Sequence, residues 1–234
     1  LKAGDINEVR RLIEKYEMPV LGYTPEHNAY PYNYMIGSEA QRRDAVDYLK
    51  LSLEMAKEMG AEFVLTSPAN GGYLATYDQL WSRLEKNIQE LGDYAAKLEI
   101  KLVVEALTPY ESNFFTRAND LVELFRRVDN PYVVGMCDIV PPFVQHESIM
   151  AYFDKLGNKM DHMHIIDGEN GSDTHLIPGE GNIPIKEMLY EMKRIGYDKT
   201  ATLELVTNYI NEPRFYAKRA IDNMRELMAE AGIV

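Results

Sequence analysis

Short β-branched runs alternate along this chain with longer segments of helical spacing, and that alternation leaves few folds open. The spacing predicts strands over Pro19–Tyr23, Glu62–Thr66, Lys101–Glu105, Tyr132–Asp138, Asp161–Asp167 and Thr200–Val206. Helical patterns cover Asn7–Tyr16 (with Asp5 as its cap), Ser38 to Met59 with Gly60 ending it, and Tyr77–Lys97. Four more cover Ala118–Val128, His146–Leu156, Ile185–Ile195 and Pro213–Ala231. Strands separated by helices of this length are βαβ units, which build a parallel sheet. Two architectures remain: an open doubly wound sheet, or an α/β (β/α)8 TIM barrel, which closes with eight strands.

The strand ends favour the barrel. In Lys101–Asn113, KLVVEALTPYESN, the buried run Leu102-Val103-Val104 delivers a carboxylate, Glu105, where the strand gives out. An unpaired buried charge costs several kcal/mol, so something must meet it there. Asp138, His164 and Glu204 occupy the same place on three other strands. Each alone has a plainer explanation: a cap, an ion pair, a turn ahead of Pro141-Pro142, a hydrogen-bonded core histidine. Together, on strand ends that ring a barrel mouth, they form one cluster of three carboxylates and an imidazole. A divalent cation relieves their repulsion, and this donor set suits Mn2+, with Co2+, Ni2+, Fe2+ or Mg2+ as alternatives. Cys137 neighbours Asp138 and points to the opposite face, so a structural zinc site is not expected. His162 shares the face of His164 but lies deeper, as core or support.

The net charge of −12 argues against a nucleic-acid surface. No apolar run approaches the roughly 20 residues of a membrane helix, and no signal peptide is evident. One cysteine excludes an internal disulfide framework. No phosphate-binding glycine loop follows a strand. The expectation is a single cytoplasmic domain over residues 1–234. Thr24–Gly37, with Tyr30, Tyr32 and Tyr34, reads as a loop over the functional face.

The segments EALTPYESN, CDIVPPF, HMHIIDG, PGEGNIP and LELV resemble the xylose-isomerase-like sugar isomerase/epimerase superfamily, and within it the ketose 3-epimerases. The resemblance is closest to the fructoselysine 3-epimerases and extends through YTPEHNAYPYN, SDTHLIPGEG and VTNYINEPRFYAKRA. It implies a TIM barrel whose first one or two strands lie ahead of residue 1. It implies one divalent metal on Glu105, Asp138, His164 and Glu204. Glu105 and Glu204 would also be catalytic, removing and returning the proton at C3 of a ketose or ketosamine through an enediolate. Glu111, Tyr110 and His175 would bind substrate. Pro141 stands where the ketose epimerases have His, and Asn170 where they have Arg; counted back from Pro178-Gly179, His175 takes the Arg position. Those changes suit a small-molecule sugar-amine substituted at C1, such as fructoselysine or psicoselysine. A homo-oligomer is expected. Aldose–ketose isomerases and inosose dehydratases of the superfamily use similar ligands and remain the alternative. A DNA-repair nuclease would need more histidines, and a sugar-binding protein would not need the flanking carboxylates.

Overall fold

In a computed structural model, which describes residues 3–29, 31–169 and 171–233, each strand pairs with the next one in sequence. The strands are β1 (Gly22–Tyr23), β2 (Phe63–Thr66), β3 (Lys101–Val104), β4 (Val133–Asp138), β5 (Met160–Ile165) and β6 (Thr200–Leu203). All pairings are parallel and the order is β1 to β6, as right-handed βαβ units built in succession require. Among the described residues, β1 and β6 are the edges of this sheet. It curls as the wall of a TIM barrel does: Lys101 on β3 reaches past β4 to Asp161 on β5, with Nζ 2.7 Å from Oδ1.

The helices are α1 (Ala3–Tyr16), α2 (Glu39–Met59), α3 (Tyr77–Leu98), α4 (Ala118–Arg127), α5 (Val140–Val144), α6 (Met150–Leu156), α7 (Ile185–Ile195) and α8 (Pro213–Glu230). Local chemistry explains the well-placed ends. Ser38 and Thr76 close capping boxes with Gln41 and Gln79, and Gly60 ends α2 at φ +79°, a conformation costly for side-chain-bearing residues. Asp5 lies inside the first turn of α1 and is not its cap. The helix expected over His146–Leu156 is also corrected. Pro141-Pro142 open α5, where a missing N–H costs nothing, His146 turns out at φ +56°, and α6 begins only at Met150.

Period-2 alternation gives the curled sheet two faces. The outer face, with Val104, Val133, Cys137, Met163 and Ile165, packs with the helices in the main core. The inner face carries Phe63, Leu65, Val103, Val134 and Met136 in a smaller cluster. His162 belongs to this inner layer. It is buried against the ring of Phe63, and its nitrogens bond to Thr200 Oγ1 (2.7 Å) and Thr202 Oγ1 (3.1 Å). Tyr34 corrects the expectation of a tyrosine loop over the site. It is 1% exposed within the main core and donates to Ser67 O at 2.7 Å. Tyr32 stacks on Tyr48 of α2, and Tyr30 lies outside the described residues. Among the described residues, no helix is long and apolar enough to cross a membrane.

Candidate active site and cation centre

The same alternation carries Glu105 two residues beyond Val103, Asp138 two beyond Met136, His164 two beyond His162 and Glu204 two beyond Thr202. All four therefore turn into the mouth of the curled sheet. All six strands are shorter than the sequence predicts, and Glu105 and Glu204 sit just past β3 and β6. His164 Nδ1 is at the centre, 3.3 Å from Glu105 Oε1 and 3.1 Å from Glu204 Oε2. Asp138 joins Glu105 and His164 in a donor group whose atoms lie within 4.8 Å of one another.

His175 enters the same cluster from the loop between β5 and α7. Its Nε2 is 3.4 Å from Glu204 Oε2 and 3.7 Å from Asp138 Oδ2, forming a second donor group with those two residues. The loop is held by Asp167, a buried carboxylate accepting from the N–H groups of Gly168, Gly179 and Ile183 at 2.8–2.9 Å. A side chain at Gly181 would collide with Asp167 Oδ1 and Gly168 O, which accounts for glycine there. An antiparallel bridge pairs Asp167 with Leu176, and Tyr209 Oη receives the N–H of Ile177. Asn170, where the related epimerases have Arg, lies outside the described residues.

Protonation within the cluster is uneven. Burial pushes Glu105 up to about 7 even though His164 pulls the other way. Burial raises Glu204 too, but His164 and His175 outweigh it and hold this carboxyl well below the usual range. Desolvation pulls both imidazoles down, and the carboxylates more than reverse it. His164 is raised well above its ordinary value, and His175 is raised to about 10.

These residues fit a cation. His164 Nδ1 is buried and lacks a hydrogen-bond partner despite two carboxylate oxygens in reach, as suits an atom whose lone pair serves a cation. Three carboxylates with imidazole nitrogen are donors for a divalent metal of the Mn2+ to Zn2+ range.

The expected substrate contacts divide. Glu111 Oε2 accepts from the N–H (3.2 Å) and hydroxyl (2.9 Å) of Thr108, and the same hydroxyl is 2.9 Å from Asp173 Oδ2. Burial raises the pKa of both carboxyls. Tyr110 is exposed and donates to Gly171 O at 2.7 Å, which makes it a tie between two loops. Asp173 escapes sequence reading because a carboxylate in a polar loop carries no periodicity, and Asp167, read as the end of a strand, instead lies two residues past β5. His27 escapes it too. It is buried, donating from Nδ1 to Pro25 O (2.6 Å) while Nε2 accepts from Ser67 N (2.8 Å), and so braces the loops after β1 and β2.

A family model for xylose isomerase-like TIM barrels matches residues 1–227. Fructoselysine 3-epimerase of Shigella flexneri is 47% identical over 230 residues, covering 98% of this chain and 83% of that protein. The solved structure of a D-tagatose 3-epimerase-like protein superposes with a TM-score of 0.81 at 21% identity, over 99% of this chain and 85% of that one. An IOLI protein with a bound zinc atom has a TM-score of 0.74 at 18% identity, over 95% of this chain and 81% of that one. The chain is thus an enzyme of the epimerase kind, and its sequence and fold together place it in the xylose isomerase-like TIM barrel family.

Proposed function

We propose that this epimerase inverts C3 of a ketose or ketosamine, with fructoselysine and psicoselysine as the interconverted pair, and that residues 1–234 act as one domain. Glu105 and Glu204 are the proton-transfer pair. The observation that supports this most is geometric: Glu105 Oε1 and Glu204 Oε2, brought from strands far apart in the sheet, stand 3.3 and 3.1 Å from the same His164 nitrogen. Epimerisation needs two such groups at one carbon, one to take the proton and one to return it. The hydrogen beside a ketone is weakly acidic. The ionised carboxylate takes it from one face of C3, leaving an enediolate, and the protonated carboxyl returns one to the other face. The roles exchange in the reverse direction. A positioned acid or base typically contributes about 10²–10⁴-fold.

Glu105, Asp138, His164 and Glu204 would hold one divalent cation, Mn2+ first, otherwise Co2+, Ni2+, Fe2+ or Mg2+. When bound, the cation supplies Lewis acidity toward the substrate's carbonyl oxygen. Glu111 and Asp173 add two carboxyls near the donor cluster, which favours a substrate bearing an amine at C1 over a neutral sugar. His175 faces the same space, and Tyr110 acts on substrate through the loop it ties down. A homo-oligomer in the cytoplasm is part of the same reading. Incubating the cation-loaded protein with fructoselysine, psicose and tagatose in D2O, and locating deuterium by NMR, tests it. Label at C3, fastest with fructoselysine, is expected. Label at C1 or C2 alone would instead mean 1,2-isomerisation, and absence of exchange would overturn the glutamate mechanism.

A further inference from the structure

The donors around the strand ends close into a ring. Glu105 Oε1 is 3.3 Å from His164 Nδ1, which is 3.1 Å from Glu204 Oε2. That oxygen is 3.4 Å from His175 Nε2, which is 3.7 Å from Asp138 Oδ2. Asp138 and Glu105 place carboxylate oxygens within 4.8 Å of each other and complete the circuit. Ligands bound at 2.0–2.2 Å to one ion, at right or tetrahedral angles, are themselves about 3.0–3.5 Å apart. Three of the spacings round the ring, 3.1, 3.3 and 3.4 Å, fall in that range, and the His175–Asp138 spacing of 3.7 Å lies just beyond it.

We propose that His175 is a fifth protein donor to the cation, an inference that rests on the cation reading above. The shell would then hold two imidazoles and three carboxylates. The far side of the ring supports this independently. His175 Nδ1 faces Asp173 Oδ1 at 3.8 Å, and that oxygen is buried without a hydrogen-bond partner. A ligating histidine almost always gives its other N–H to a carboxylate, a backbone carbonyl or a water, which sets the tautomer and aims the free nitrogen at the metal. A small approach of the imidazole to Asp173 would satisfy both groups. The loop that carries His175 is anchored by Asp167, so the nitrogen is delivered by a built element. The chemical consequence is selectivity. A second imidazole strengthens binding of borderline ions such as Co2+ more than that of Mn2+.

Pulsed EPR of the Mn2+-loaded full chain counts the coordinating nitrogens, and titration compares Co2+ with Mn2+. Two nitrogen couplings are expected in the unmodified protein and one in His175→Gln. In that variant the Co2+ dissociation constant should rise about 100-fold and that of Mn2+ less than about tenfold. Asp173→Asn should keep both couplings and weaken Co2+ by about tenfold. A single nitrogen in the unmodified protein, or equal losses for the two ions in His175→Gln, overturns the fifth donor and leaves the four-donor cation site standing. Failure of both ions to bind overturns both readings. The count in the unmodified protein stands whether or not either variant folds.

Discussion

Glu105 leaves the sheet from β3, between β2 and β4, whereas Glu204 leaves it from β6, which among the described residues pairs with β5 alone. Both face the same histidine nitrogen at nearly the same distance, 3.3 and 3.1 Å. Yet the carboxyl on the central strand is buried and raised to about 7, while the one on the edge strand is 35% exposed and held low. The number of imidazoles in reach accounts for the difference. Burial disfavours the ionised form of both groups. Glu105 has His164 alone to offset it, whereas Glu204 is met by both His164 and His175. One residue type placed twice by one strand rule thus becomes two groups with different chemistry.

The sharpest way to break this comparison is to neutralise each carboxyl in turn. Glu105→Gln and Glu204→Gln should each lower kcat by at least about 10²–10⁴-fold, since each removes one proton-transfer group. Their stabilities should move in opposite directions in the metal-free protein at pH 8. Glu105→Gln removes a charge that burial disfavours, so Tm rises; Glu204→Gln strips His164 and His175 of their shared partner, so Tm falls. Melting curves of both variants check this, at about 2–4 °C per kcal/mol for a chain of this size. Shifts of the same sign would mean the two environments do not differ.

A smaller effect follows from pH. A raised carboxyl stabilises the fold at low pH and loses that contribution as pH climbs from its ordinary 4.5 to about 7. His164 and His175, also raised, contribute below 6.5 and lose it above, His175 by about 10. Glu204, held low, has its contribution in place above 4.5 and leaves this window unchanged. The metal-free protein should therefore melt lower as pH rises from 5 to 9, whereas saturating Mn2+ should raise Tm most at the alkaline end. Calorimetry with and without a chelator measures both trends, and a metal-free Tm rising over this range would refute the assignment. The smallest expected change is Tyr110→Phe. It removes one exposed hydrogen bond to the loop, so stability should shift by no more than about 0.5–1.5 kcal/mol. A loss of kcat/KM above tenfold without a change in the loop would instead make Tyr110 a direct substrate contact.

Much of the fold was legible because its signals are local. The start of α2 after Ser38 and the glycine stop at Gly60 need only a few adjacent residues. The four strand-end donors follow from alternation alone, since parity with Val103, Met136, His162 and Thr202 decides which way each one points. Other features depend on partners distant in sequence. Tyr34 reads as a polar loop aromatic until Ser67, from the turn after β2, accepts its hydroxyl. The helix expected from His146 starts only at Met150, because His146 sits at φ +56° just after α5, whose end is tied to Thr116 by the Gln145 side chain.

What the sequence determined by itself is the set of parallel strands and the identity of the carboxylates and histidine at their ends, because a two-residue period is a property of the backbone. Only the tertiary structure decided how differently the two carboxyls are surrounded and that His175 joins the donor ring. The first depends on how many imidazoles each strand end meets. The second depends on a loop closed by Asp167, whose acceptors meet N–H groups up to sixteen residues away. Neither is encoded in any local pattern.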